Sequence, residues 1–171
     1  MPTTEIALQE ELTDRTDIKV YSDGSGIDGK IGASAVLIRG GEVKGKLRYQ
    51  LGSDKQHTVY EGEGIGMVLG LELICMEQQV IMVSMGIDNQ AAIMATGLSR
   101  PAPSHYIWDL FHKHLTMVTG QHKDLFLTVV WTPGHTDIEG NELADVEAKH
   151  AVKHGSSPNN KLPAPPCKLL P

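Results

Sequence analysis

A chain of 171 residues has the length of one domain with a single core and short tails. Its 40% hydrophobic and 21% charged residues fit a soluble globular protein; no apolar run approaches the roughly 20 residues that cross a bilayer, and two cysteines exclude a disulfide scaffold or a structural zinc site. A net charge of -6 disfavours nucleic-acid binding unless part of it is a carboxylate cluster that takes up divalent cations, although an ordinary acidic surface accounts for the number equally well.

Residues 1–16 are polar and acidic, unlike a secretory signal, and read as a flexible segment of an intracellular protein. Ile18–Asp23 predicts a short strand ending at the glycine-rich turn Gly24-Ser25-Gly26. Ile31–Ile38 suits a buried strand. Val43, Gly45, Leu47, Tyr49 and Leu51 then alternate with charged or polar residues, the pattern of a half-solvated antiparallel strand, and Gly40-Gly41 supplies the hairpin turn between the two. From Thr58 to Met76 the apolar residues recur at helical spacing. A strand over Val80–Ile87 stops at Asp88. Asn89–Thr96 predicts a short helix closed by Gly97, and Pro101 and Pro103 mark a break. A helix over Tyr106–Thr119 is followed by a strand over Leu125–Trp131, a loop beginning Thr132-Pro133-Gly134-His135, and a helix over Asn141–Lys153. The order βββαβααβα predicts an α/β domain over residues 17–153, with a mixed sheet flanked by helices. Residues 154–171 are proline-rich and read as a tail or linker.

Four acids stand out by position. Asp23 and Asp88 end strands, Glu63 lies in the first long helix, and Asp145 lies in the last. Each alone has an ordinary role open to it, such as a turn, a helix cap or a solvated helix face. Together they suit a hard-cation site, because magnesium prefers oxygen ligands and a pair of such ions can hold both the attacking and the leaving oxygen of an in-line displacement. Without metal, acids brought so close repel one another and raise at least one pKa.

Tyr21-Ser22-Asp23-Gly24-Ser25-Gly26, Tyr60-Glu61-Gly62-Glu63, Gly86-Ile87-Asp88-Asn89-Gln90-Ala91-Ala92 and Gly134-His135 through Gly140-Asn141-Glu142-Leu143-Ala144-Asp145 resemble the type 1 ribonuclease H family over about residues 17–153. They look most like the ribonuclease H domains of retrotransposon reverse transcriptases, particularly fungal non-LTR elements. The resemblance implies a ribonuclease H-like fold, a five-stranded mixed sheet in order 3-2-1-4-5 with helices on both faces. It implies hydrolysis of the RNA strand of RNA–DNA hybrids, with two Mg2+ ions (Mn2+ as a substitute) held by Asp23, Glu63, Asp88 and Asp145. His135 falls on the family's mobile histidine, which serves proton transfer or product departure. Ser25, Asn89 and Gln90 match hybrid-contacting positions, and Asn141, counted with them, is read as the cap of the last helix. Within the first long helix the family's spacing to Gly70-Leu71 favours Glu63, with Glu61 as runner-up, since two residues apart on a helix cannot face the same way.

Two departures qualify this expectation. The helix bearing Glu63 also holds Gly62, Gly64, Gly66 and Gly70, each costing about 1 kcal/mol against alanine, so a soft helix and reduced activity are expected. Between Asn89 and Leu125 the positive charges are Arg100, Lys113 and Lys123 alone, so hybrid held by phosphate contacts would bind weakly unless an attached reverse transcriptase grips it. The rival reading is a weakened or inactive interaction module of the same fold.

Overall fold

The computed structural model describes residues 3–14, 16–96, 105–134 and 136–162. Its five strands are β1 (Ile18–Ile27), β2 (Lys30–Arg39), β3 (Glu42–Ser53), β4 (Met82–Ile87) and β5 (Phe126–Trp131). They form one sheet in order β3-β2-β1-β4-β5, antiparallel across β1, β2 and β3 and parallel from β1 to β4 to β5. The helices are α1 (Thr4–Thr13), α2 (Val59–Cys75), α3 (Gln90–Ala95), α4 (His105–Gln121) and α5 (Glu139–His154). Helices α2 and α4 cover one face over a core that includes Val20, Ala35, Leu47, Leu69 and Phe111. The other face carries α5 and α1, which meet Tyr21 and Val36 through Ala144, Leu143 and Leu8.

Strand β1 does not stop at Asp23. Gly24-Ser25-Gly26 pairs across Ala33, Gly32 and Ile31, and the chain turns at Asp28-Gly29, whose φ values of 50° and 78° are those of a tight hairpin. The expected turn at Gly40-Gly41 is present, with φ of 58° and 80°. The face of β3 expected to be solvated is partly covered, because Lys46 and Arg48 reach Glu147 of α5 at 3.3 and 3.1 Å.

Both segments read as flexible contain packed structure. Helix α1 is capped by Thr3, whose hydroxyl accepts from the Ile6 amide, and it buries Ala7 against the sheet. Its Glu11 accepts the Tyr21 hydroxyl proton and pairs with Lys19 at 3.3 Å. Ile6 and Leu12 of the same helix are exposed, so no apolar stripe marks it in the sequence. Beyond α5, the Ser157 amide donates to the Arg48 carbonyl, and the Ser157 and Ser156 hydroxyls accept the Arg48 and Gln50 amides, all at 2.9 Å. Leu162 then closes over the core at 4% exposure. This segment covers the outer edge of β3, which would otherwise offer unpaired backbone to another chain.

The four helix glycines are contact points. A Cβ on Gly66 would lie 2.9 Å from the Ser34 carbonyl oxygen and 3.0 Å from that of Asp23, and one on Gly64 would lie 2.4 Å from Ile107 Cγ2. Glycine there lets α2 lie directly on the sheet, a packing reason for residues that weaken an isolated helix.

Candidate active site

The parallel pairing of β1 with β4 ends at Ser22 opposite Ile87. The next residues, Asp23 and Asp88, therefore leave the sheet side by side, at the carboxyl end of the parallel strands where open α/β sheets place ligands. Helix α2 begins at Thr58, whose hydroxyl accepts from the Glu61 amide at 3.1 Å. Its first turns cross β1 at Gly24, where a Cβ would stand 2.5 Å from the Glu63 nitrogen. That approach delivers Glu63 to the two aspartates. One oxygen from each of Asp23, Glu63 and Asp88 lies within 4.8 Å of the others.

Asp23 and Glu63 are 7% and 5% exposed, and Glu63 Oε2 is buried without a hydrogen-bond partner. Burial, then the charge of Asp88 and that of Asp145, pushes the Asp23 carboxyl well above the usual range. Burial and the charges of Asp23 and Asp88 do the same to Glu63, with the Gly24 amide opposing both shifts. A partnerless carboxylate oxygen beside two further carboxylates is a donor set for a hard cation, and the residues present fit such an ion.

Asp145 lines the same cleft of about 190 Å3, together with Asn141, Glu142 and Gly134, but its carboxylate pairs with Lys149 at 2.7 Å. Glu142 is a cleft residue that the sequence reading passed over. It lies three residues before Asp145, a spacing that shares a helix face. Asn141 is not the helix cap: α5 starts at Glu139 after Ile138, and the Asn141 amide donates to the Pro133 carbonyl at 3.4 Å, tying the helix to the preceding loop. Asn89 caps α3, its Oδ1 accepting from the Ala92 amide at 3.0 Å, and Gln90 opens that helix; neither lines the cleft. Ser25 is buried two residues beyond Asp23 and is likewise outside the lining. His135 lies outside the described residues, while its neighbour Gly134 packs within 3.2 Å of Asp88 Oδ2, measured from the position of an added Cβ. Glu61 turns away from the cleft, accepting from the Tyr106 hydroxyl at 2.5 Å and pairing with His57 at 3.0 Å.

The sequence matches no protein-family profile, and it matches no curated protein. Solved structures do match. The N-terminal ribonuclease H domain of a Mycobacterium tuberculosis protein superposes with a TM-score of 0.61 at 16% identity, covering 82% of this chain and 96% of that one. LC11 ribonuclease H1, solved in complex with an RNA/DNA hybrid, gives 0.58 at 17% identity over 78% and 98% of the two chains. The protease-reverse transcriptase of prototype foamy virus gives 0.57 at 20% identity, covering 81% of this chain and 21% of that one.

The fold is that of ribonuclease H. Within this ribonuclease H fold, Asp23, Glu63 and Asp88 come from three separate elements and converge at the end of the sheet. Among the described residues no helix is long and apolar enough to cross a membrane.

Proposed function

We propose that the chain is a ribonuclease H that hydrolyses the RNA strand of RNA–DNA hybrids, leaving 5′-phosphate and 3′-hydroxyl ends. The observation that carries this reading is the convergence of Asp23, Glu63 and Asp88 around a buried carboxylate oxygen with no partner. These three, with Asp145 at the rim, would hold two Mg2+ ions, and Mn2+ could replace them. When bound, such ions supply an activated water and offset the charge that develops on the phosphate.

The chain's own residues do the rest. Asp23 and Glu63, raised in pKa without a cation, give up their protons when positive charge arrives. A cation at Asp145 requires Lys149 to leave its carboxylate. Asn141 keeps the start of α5 against the 133–138 loop, so His135 hangs from a loop anchored beside Asp88 and is the proton carrier of this reading. Ser25, Asn89 and Gln90, at the ends of β1 and β4, are the small polar groups offered to the hybrid, where a 2′-hydroxyl distinguishes RNA by donating and accepting. The resemblance of the motifs to retrotransposon reverse transcriptases, fungal non-LTR elements above all, supports an attached polymerase as the partner that grips the substrate.

The test is cleavage of a labelled hybrid in Mg2+ and in Mn2+ at low salt, beside single-stranded RNA, duplex RNA and duplex DNA. Only the RNA of the hybrid is expected to be cut, with loss of cutting in EDTA. Asp88→Asn is expected to lower the rate by on the order of a hundredfold or more, because it removes several kcal/mol of charge stabilisation. A folded protein that binds hybrid and cuts nothing in either metal would leave the interaction module as the correct reading.

A further inference from the structure

Helix α1 roofs a second cavity, of about 330 Å3, against β4 and β5. It shares no lining residue with the carboxylate cleft. Its lining includes the carboxylates of Glu10, Glu11 and Asp14 and no lysine or arginine. Glu11 is turned to Tyr21 and Lys19, and Asp14 Oδ1 accepts from the Thr16 amide at 2.8 Å. Thr132, on the opposite wall, is 2% exposed, and its hydroxyl has no hydrogen-bond partner. A buried hydroxyl left unpaired costs roughly 1–3 kcal/mol, a cost that a donor brought by a ligand would remove.

We propose that this cavity binds an alkyl diammonium cation. Glu10 and Asp14 are four residues apart, which sets their Cβ atoms about 5–6 Å apart on one helix face, close to the span of a four-carbon diamine. Ala7, Val130 and Trp131 give the methylenes an apolar wall, and the Thr132 hydroxyl accepts an ammonium N–H. A compact metal ion does not fit, because among the described residues only Asp23, Glu63 and Asp88 gather their oxygens within ligating distance. The cavity also adjoins the cleft through the backbone: the Trp131 indole donates to the Asp88 carbonyl at 3.0 Å and the Thr132 amide to that of Ile87 at 2.9 Å.

Titration calorimetry of the intact chain with 1,4-diaminobutane tests this, with butylamine and MgCl2 as separate titrants. One saturable site of roughly millimolar or tighter Kd is expected, with butylamine at least tenfold weaker. The double variant Glu10→Gln/Asp14→Asn should weaken diamine binding at least tenfold. Thr132→Val, which keeps the shape of the wall, should weaken it roughly threefold by removing one acceptor. Absence of saturable heat overturns the proposal. So does binding that both variants leave unchanged, which would place the diamine in the carboxylate cleft, and so does equal displacement by Mg2+.

Discussion

Asp23 and Glu63 resist ionisation in the metal-free protein because they are buried beside each other and beside Asp88. In the unfolded chain the same carboxyls titrate near pH 4. The folded state therefore holds extra protons, and the stability these groups contribute is complete below about pH 4 and lost as pH rises toward their folded-state values. In EDTA the urea midpoint is expected to be lower at pH 8 than at pH 5. Glu63→Gln, which cannot ionise, should stabilise the metal-free protein at pH 8 by about 1–3 kcal/mol while abolishing cleavage. Mg2+ should raise the midpoint of the parent chain at pH 8 far more than that of the variant. Equal pH profiles for the two proteins in EDTA would mean that the acids do not repel. The choice of Glu63 over Glu61, made on family spacing, agrees with their placement, since Glu61 is engaged by His57 and Tyr106.

Helix α2 joins the core to the cleft, and its glycines act through contacts that sequence does not display. On propensity alone, Gly66→Ala should stabilise the helix by about 1 kcal/mol. Its new Cβ would press on two backbone carbonyl oxygens at 2.9 and 3.0 Å, neither of which can rotate away. The expected net effect is a loss of about 1–3 kcal/mol by urea denaturation, with cleavage reduced because α2 carries Glu63. An increase in stability would mean that the helix does not lie this close to β1 and β2. The short helix α1 was illegible for a related reason. It is held by Ala7, Leu8 and a Glu11–Tyr21 hydrogen bond to distant strands, which leave no local periodicity.

At the scale of the molecule, the sheet is a stack of local hairpins joined to distant parallel pairings, closed at the β3 edge by residues 155–162. Ending the chain at His154 removes three hydrogen bonds to β3 and the burial of Leu162, roughly 3–6 kcal/mol in sum. The truncated protein is expected to melt at lower temperature and to self-associate through the bared edge in size-exclusion chromatography. An unchanged melting temperature would mean that the segment does not hold the edge in solution.

Period-2 and period-3.6 patterns are local, and they carried the strand and helix order, the Gly40-Gly41 turn and the four acids that the family resemblance singled out. The Asp28-Gly29 turn was equally local, and its dipeptide is a strong hairpin signal that places the β1 end beyond Asp23. What the tertiary structure alone decided depends on residues far apart in the chain. The Gly24–α2 crossing selects Glu63, the Ser22–Ile87 register sets Asp23 beside Asp88, and Lys149 holds Asp145 at the rim. The linear order of residues records which groups can bind a cation; only the packing of helix on sheet records which oxygens are left without a partner, because burial and repulsion are properties of neighbours in space.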